Sequence, residues 1–160
     1  MVEPIEQPEV QDVLRWHRTF APRFFNRTWE LMDMMDRSRD EIDEMLTSAF
    51  AQRAHWYQVG DARQRAIADW QVSRAAVLAG FPTLARRFGE RSLQTAAELD
   101  PFVAAFGHEA IARAAALVDD LETFEEHLSE AWKLAEQVDD EEEREVLVAD
   151  LAEMSDSAAR

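Results

Sequence analysis

The chain has 160 residues, a net charge of −16, no cysteine, five Trp and nine Phe. The lack of cysteine excludes disulfides, thiolate metal sites and cysteine nucleophiles, and the acidic balance argues against nucleic acid, whose phosphates need clustered Lys and Arg. Few Gly and Pro stand against many Ala, Leu, Glu and Arg, a helix-forming composition with enough apolar side chains for a core, and no period-two alternation occurs, so the expected fold class is all-α in a single domain.

In chain order, residues 1–9 read as a loose tail without a signal-peptide pattern. No apolar run nears the ~18 residues of a membrane span, so no membrane contact and a cytoplasmic location are expected. Val10 to Phe20 suits a short helix, Pro22 is expected to interrupt it, and a second helix is predicted over about Arg23 to Met35. Ser38-Arg39-Asp40-Glu41 is a capping box opening a helix to Val59. Gly60 is expected to be left-handed after it, and Asp61 to cap the next helix, Ala62 to Ala79. Gly80-Phe81-Pro82 turns into a helix ending near Leu99; Asp100-Pro101 starts another to about Val118. Asp119-Asp120 precede a helix to Val138, and an acidic capping helix follows over residues 140–154 before fraying. About eight helices result, joined by short turns that make neighbours antiparallel. Residues 119–160 hold 16 acidic and three basic side chains, whereas Gln52 to Asp100 holds seven Arg against five acids. The molecule is therefore expected to be electrostatically polar.

An offset of 39 residues lays Val72-Ser73-Arg74-Ala75-Ala76-Val77-Leu78 over Ile111-Ala112-Arg113-Ala114-Ala115-Ala116-Leu117 and Gly80 over Asp119. Small residues recur where two helices must approach, at Ser73, Ala76, Ala85 and Ser92, then Ala112, Ala115 and Ala131. This pattern resembles the tetratricopeptide repeat, with a longer period and without its usual aromatic near the end of the second helix, where Gly89 and Leu128 stand. The runs AHWYQVGDARQRAIADWQVSR, AFGHEAIARAAALVDD and DDEEEREVLVADL, with FNRTWELMD, resemble a family of short bacterial tetratricopeptide-like proteins of unassigned function. The resemblance implies a right-handed superhelix of helix hairpins: an N-terminal helical cap at 10–60, two hairpins at 62–138 and the closing helix at 140–154.

By that frame the inward positions fall on Ile67, Trp70 and Arg74, then on Phe106, Glu109 and Arg113. Helical spacing agrees, since residues three and four apart share a face. Arg can hold a carboxylate in a fork and Trp offers a flat apolar wall. His55 and Gln71 are added as neighbours of Trp70. The plainer reading makes Trp70 core, pairs Glu109 with Arg113, and pairs Arg74 with Asp69 or another local acid. Met32, Met34, Met35 and Met45 with Phe24 and Phe25 read as core filling or as a soft partner patch.

Signals for an enzyme are missing. No His-Glu-x-x-His, Glu-x-x-His, glycine-rich phosphate loop or Gly-x-Ser-x-Gly occurs, so neither a catalytic residue nor a metal or cofactor is assigned. The leading expectation is a non-enzymatic module binding a protein or peptide in the concave groove. Two alternatives stand beside it: a small-molecule or enzyme pocket closed by the N-terminal helices, and a homodimer or larger homo-oligomer in which the acidic end meets the Arg-rich middle.

Overall fold

The computed structural model describes residues 8–158. They form seven helices and no strand: α1 (Val10–Met32), α2 (Arg39–Val59), α3 (Ala62–Leu78), α4 (Pro82–Ala96), α5 (Pro101–Ala116), α6 (Leu121–Ala135) and α7 (Glu141–Ala158). The tail expected over residues 1–9 lies, up to residue 7, outside the described residues.

Seven helices replace the expected eight because α1 runs unbroken through Pro22. Proline removes one intrahelical hydrogen bond and crowds the preceding turn, but here it sits on the solvent side. The flanking residues Ala21 and Thr28 are buried, and α2 lies along the helix. Tertiary burial on both sides of the proline outweighs its local cost. The helix stops at Met32 because Arg37 folds back and donates from Nη1 to the carbonyls of Leu31, Met32 and Met34 at 3.2, 2.9 and 2.6 Å. These are orphan acceptors that every helix end must satisfy.

The remaining boundaries follow their caps. Ser38 and Glu41 form the expected capping box, and Asp61 forms a second one with Gln64. Asp100 accepts from the Val103 amide at 2.9 Å ahead of Pro101. Asp120 accepts from Thr123 N–H and Asp140 from Glu143 N–H. Gly60 is extended rather than left-handed, with φ −83° and ψ 154°. It is required for space, since a Cβ there would lie 2.6 Å from the Trp56 carbonyl oxygen. Among the described residues the left-handed ones are Gly80 (φ 76°) and Asp119 (φ 55°), the two positions that the 39-residue offset superposes.

Consecutive helices pair, and in addition α1 lies against α3, α3 against α5 and α5 against α7, while the even-numbered helices do not pack their backbones on one another and α2 reaches α4 through side chains, Phe50 to Phe88 with ring centroids 5.4 Å apart. The odd-numbered helices thus make an inner layer and the even-numbered ones an outer layer. Helix α3 is buried nearly all round, from Ala66 to Ala76, as the centre of the inner layer must be. Small residues allow close approach: Ser73 Oγ–H donates to the Ala85 carbonyl at 2.7 Å and Ser92 Oγ–H to the Ala66 carbonyl at 2.9 Å. At Gly107 a Cβ would stand 2.7 Å from Leu93 Cα, so glycine sets the α4–α5 separation. Met32 and Met45 fill the core around Leu31, Val72 and Phe88, whereas Met35 is exposed.

Candidate site: an ion cluster behind an aromatic pocket

Glu109 on α5 is fully buried. A bare carboxylate there would cost several kcal/mol, on the order of the desolvation penalty of an ion, so its oxygens are filled. Oε2 accepts from Trp70 Nε1–H at 2.8 Å. Oε1 accepts from Arg74 Nη1–H at 2.8 Å and from Arg113 Nε–H. Trp70 and Glu109, and likewise Arg74 and Arg113, are counterparts in the 39-residue frame. They meet because α3 and α5 lie side by side with their equivalent faces turned the same way.

Helix α7 supplies a second carboxylate. Asp150 Oδ1 lies 3.7 Å from Arg74 Nη2 and 3.6 Å from Arg113 Nη2. These gaps allow attraction between charges but exceed a hydrogen bond, and Arg113 Nη2 is left buried without a hydrogen-bond partner. Burial pushes the Asp150 carboxyl above the usual aspartate range, against the pull of Arg74 and Arg113 and with help from Glu109.

In front of this cluster lies a pocket of about 180 Å³ whose lining includes Trp29, Ile67, Trp70, Phe102, Phe106 and Asp150, with Val146 on the rim. Ring centroids of Trp29 and Trp70 are 5.7 Å apart, those of Trp70 and Phe106 5.2 Å, and those of Phe102 and Phe106 5.0 Å. Every one of the four inner helices contributes to it: α1 through Trp29, α3 through Ile67 and Trp70, α5 through Phe102 and Phe106, and α7 through Val146 and Asp150.

Of the residues expected in a site, Ile67, Trp70 and Phe106 line the pocket, and Arg74, Glu109 and Arg113 form the ionic cluster behind it. Arg74 pairs with Glu109 and not with Asp69. Gln71 is buried and donates from Nε2 to the Phe25 carbonyl of α1 at 3.0 Å, a tie between helices. His55 is not brought to Trp70. It faces α1, with Nδ1 2.7 Å from His17 Nδ1 and its ring stacked on Phe24. A second imidazole pair joins α5 to α6, His108 Nδ1 to His127 Nδ1 at 2.9 Å. Desolvation first, and the neighbouring imidazole second, lower the pKa of His55 and of His108; desolvation lowers that of His127. Among the described residues no group of three or more His, Asp or Glu is placed to hold a metal ion, and no helix is long and apolar enough to cross a membrane.

Trp29, Phe102, Val146 and Asp150 line the pocket without having been expected there. Asp150 carried a readable signal: it falls three after Leu147 and four before Met154, on the buried stripe of α7. An acid in that register must face a cation, be hydrogen-bonded or take up a proton. A further buried carboxylate, Asp69, ties α2 to α3 by accepting from Arg53 Nε–H and Tyr57 O–H, with the Arg53 guanidinium 4.1 Å above the Tyr57 ring.

Comparison with family models, with curated proteins and with solved structures returns no match for this chain.

Proposed function

We propose that the chain is a non-enzymatic ligand-binding module. In this reading its two layers form a short right-handed superhelix of tetratricopeptide-like hairpins, and its concave side is closed by the terminal helices over a small apolar pocket. The observation that carries it is that pocket, walled by side chains from all four inner helices. An apolar cavity of about 150 Å³ holds a benzene-sized guest, so a one-ring ligand fits the volume. The groove expected for a peptide is a weaker claim on the same surface. Its arginines are hydrogen-bonded to Glu109, and Trp29 of α1 lies against Trp70.

The test uses toluene as probe and saturation-transfer NMR as readout. Toluene should bind the wild type, with quenching of Trp29 and Trp70 fluorescence. Val146→Phe adds bulk at a rim position that is 58% exposed, where the larger side chain is tolerated, and should block the probe without lowering the melting temperature. Absence of binding, or equal binding to the plugged variant, overturns the reading.

A protein partner is the second reading, favoured by the apolar residues Leu78, Phe81, Leu117, Val118 and Leu121 exposed at the α3–α4 and α5–α6 turns, which antiparallel helices bring to one end of the molecule. Light scattering that shows a concentration-dependent mass, abolished by Phe81→Ser with Leu121→Ser, supports self-association through that end. A constant monomer mass rules it out.

A further inference from the structure

We propose that the ligand of this pocket is an organic amine, bound as an ammonium with its apolar body among the aromatic rings. The inference rests on the pocket reading above and adds the chemistry of the ligand's head.

The argument is one of hydrogen-bond accounting around the pocket. The Trp70 indole N–H is spent on Glu109 and the Ser92 hydroxyl on the Ala66 carbonyl. Neither Arg74 nor Arg113 is among the lining residues. The donors of Trp70 and Ser92 on the lining are therefore spent, and the unpaired Arg113 Nη2 belongs to a residue outside the lining, so none of these gives the wall a free donor for a ligand carboxylate or carbonyl. The unspent capacity belongs to an acceptor. Asp150 lines the pocket, its side chain is 23% exposed, and its nearest cationic nitrogens stand beyond hydrogen-bond distance at 3.6 and 3.7 Å. A ligand that donates N–H completes that carboxylate, and a charge-assisted bond of this kind is among the strong ones.

The walls favour the same head. Trp29, Trp70 and Phe106 present rings in tilted and edge-to-face arrangements, so ring faces and the carboxylate border one volume. A cation within ~6 Å of a ring face is attracted to it, more so when desolvated. The cluster behind the pocket holds Arg74 and Arg113 against Glu109 and Asp150, two charges of each sign. An added ammonium therefore meets no local excess of positive charge, and the net charge of −16 draws cations to the molecule.

Three probes of one shape separate this inference from the reading beneath it: benzylamine, toluene and benzoate, each titrated by calorimetry. Benzylamine should bind about ten-fold tighter than toluene, the size of one good polar contact, and benzoate should bind more weakly than toluene. Asp150→Asn should bring benzylamine and toluene to within about three-fold of each other and leave toluene unchanged. In the wild type, benzylamine affinity should also fall as the pH is lowered and Asp150 is protonated, while toluene affinity stays flat; this decides the matter if the variant does not fold. Toluene binding as well as benzylamine, or a benzylamine affinity insensitive to both pH and the variant, overturns the amine inference and leaves the pocket standing. Failure of every probe overturns both.

Discussion

At the scale of the residue, the molecule depends on charges placed where water cannot reach them. Glu109 has no exposure and holds Trp70, Arg74 and Arg113 at once. Replacing it with Gln keeps the shape and removes the charge, leaving two guanidinium groups that are only 15% exposed with Asp150 at 3.6 and 3.7 Å beside them. Breaking a buried ion cluster by removing one member costs about 3–5 kcal/mol. Glu109→Gln should therefore show a loss of that size in urea-induced unfolding, and a loss below about 1 kcal/mol would mean that the cluster is effectively solvated. The imidazole pairs set the response to acid. His55, His108 and His127 lose their protons more readily when folded than the ordinary imidazole, whose pKa is near 6.5. Between the two pKa values the unfolded chain binds more protons, so their contribution is full above that ordinary value and is lost as pH falls below it. Asp150, raised by burial, works in the opposite sense at lower pH, gaining stability as pH drops toward the ordinary aspartate range. Unfolding midpoints measured from about pH 7.5 to 5.5 should fall. The drop should shrink in the double variant His55→Gln, His108→Gln; an undiminished drop would assign the acid response to other groups.

At the scale of the element, the two halves of the inner layer repeat each other. Gly80 and Asp119 are left-handed at equivalent turns, but only one of them is a residue that adopts this conformation freely. Asp119→Gly should therefore stabilise the protein by roughly 0.5–1 kcal/mol, relieving a left-handed Cβ, with the thermal midpoint as readout; no gain would show that Asp119 is held there without strain. The opposite experiment addresses the α4–α5 seam. Gly107→Ala puts a methyl group 2.7 Å from Leu93 Cα, which is backbone and cannot swing aside. Overpacking of this kind costs about 1–3 kcal/mol, and a neutral result in denaturant unfolding would mean that the two helices can part without loss. How much of this was legible depended on the kind of signal. Ser38, Asp61, Asp100 and Asp120 act through neighbours within three residues, so the helix starts could be read directly. Ile67, Trp70, Arg74, Phe106, Glu109 and Arg113 share helical faces and an internal frame, so their convergence could be read as well. Pro22 misled because its local cost is overridden by burial against α2. Asp150 was legible only through its register with Leu147 and Met154, amid acids with a solvated appearance. His55 was placed near Trp70 from sequence, whereas its face of α2 turns toward α1, an orientation that only tertiary structure decides.

At the scale of the whole molecule, α7 has two opposed effects. It brings seven acidic residues, Glu141 to Asp156, to a chain already negative, which costs free energy through self-repulsion. It also buries Leu147, Leu151 and Met154 against α5 and α6, and each full burial of such a side chain is worth about 1.5–3 kcal/mol. Three such burials outweigh a repulsion between exposed charges that salt screens over ~10 Å. Its charges are moreover partly compensated within the chain. Glu143 meets Arg63 at 2.6 Å and Asp150 faces Arg74 and Arg113, so the acidic end finds the arginine-rich middle without a second copy. Removal of residues 141–160 should therefore destabilise the protein despite relieving charge. It should uncover the apolar face formed by Phe102, Phe106 and Leu128, seen as strong dye binding by anilinonaphthalene sulfonate, and open the pocket on its Asp150 side, with loss of toluene binding. Added salt should not restore the lost stability, because the deficit is apolar. A truncated chain as stable as the full one, with no rise in dye binding, would mean that α7 is an accessory helix and that the concave side is complete without it.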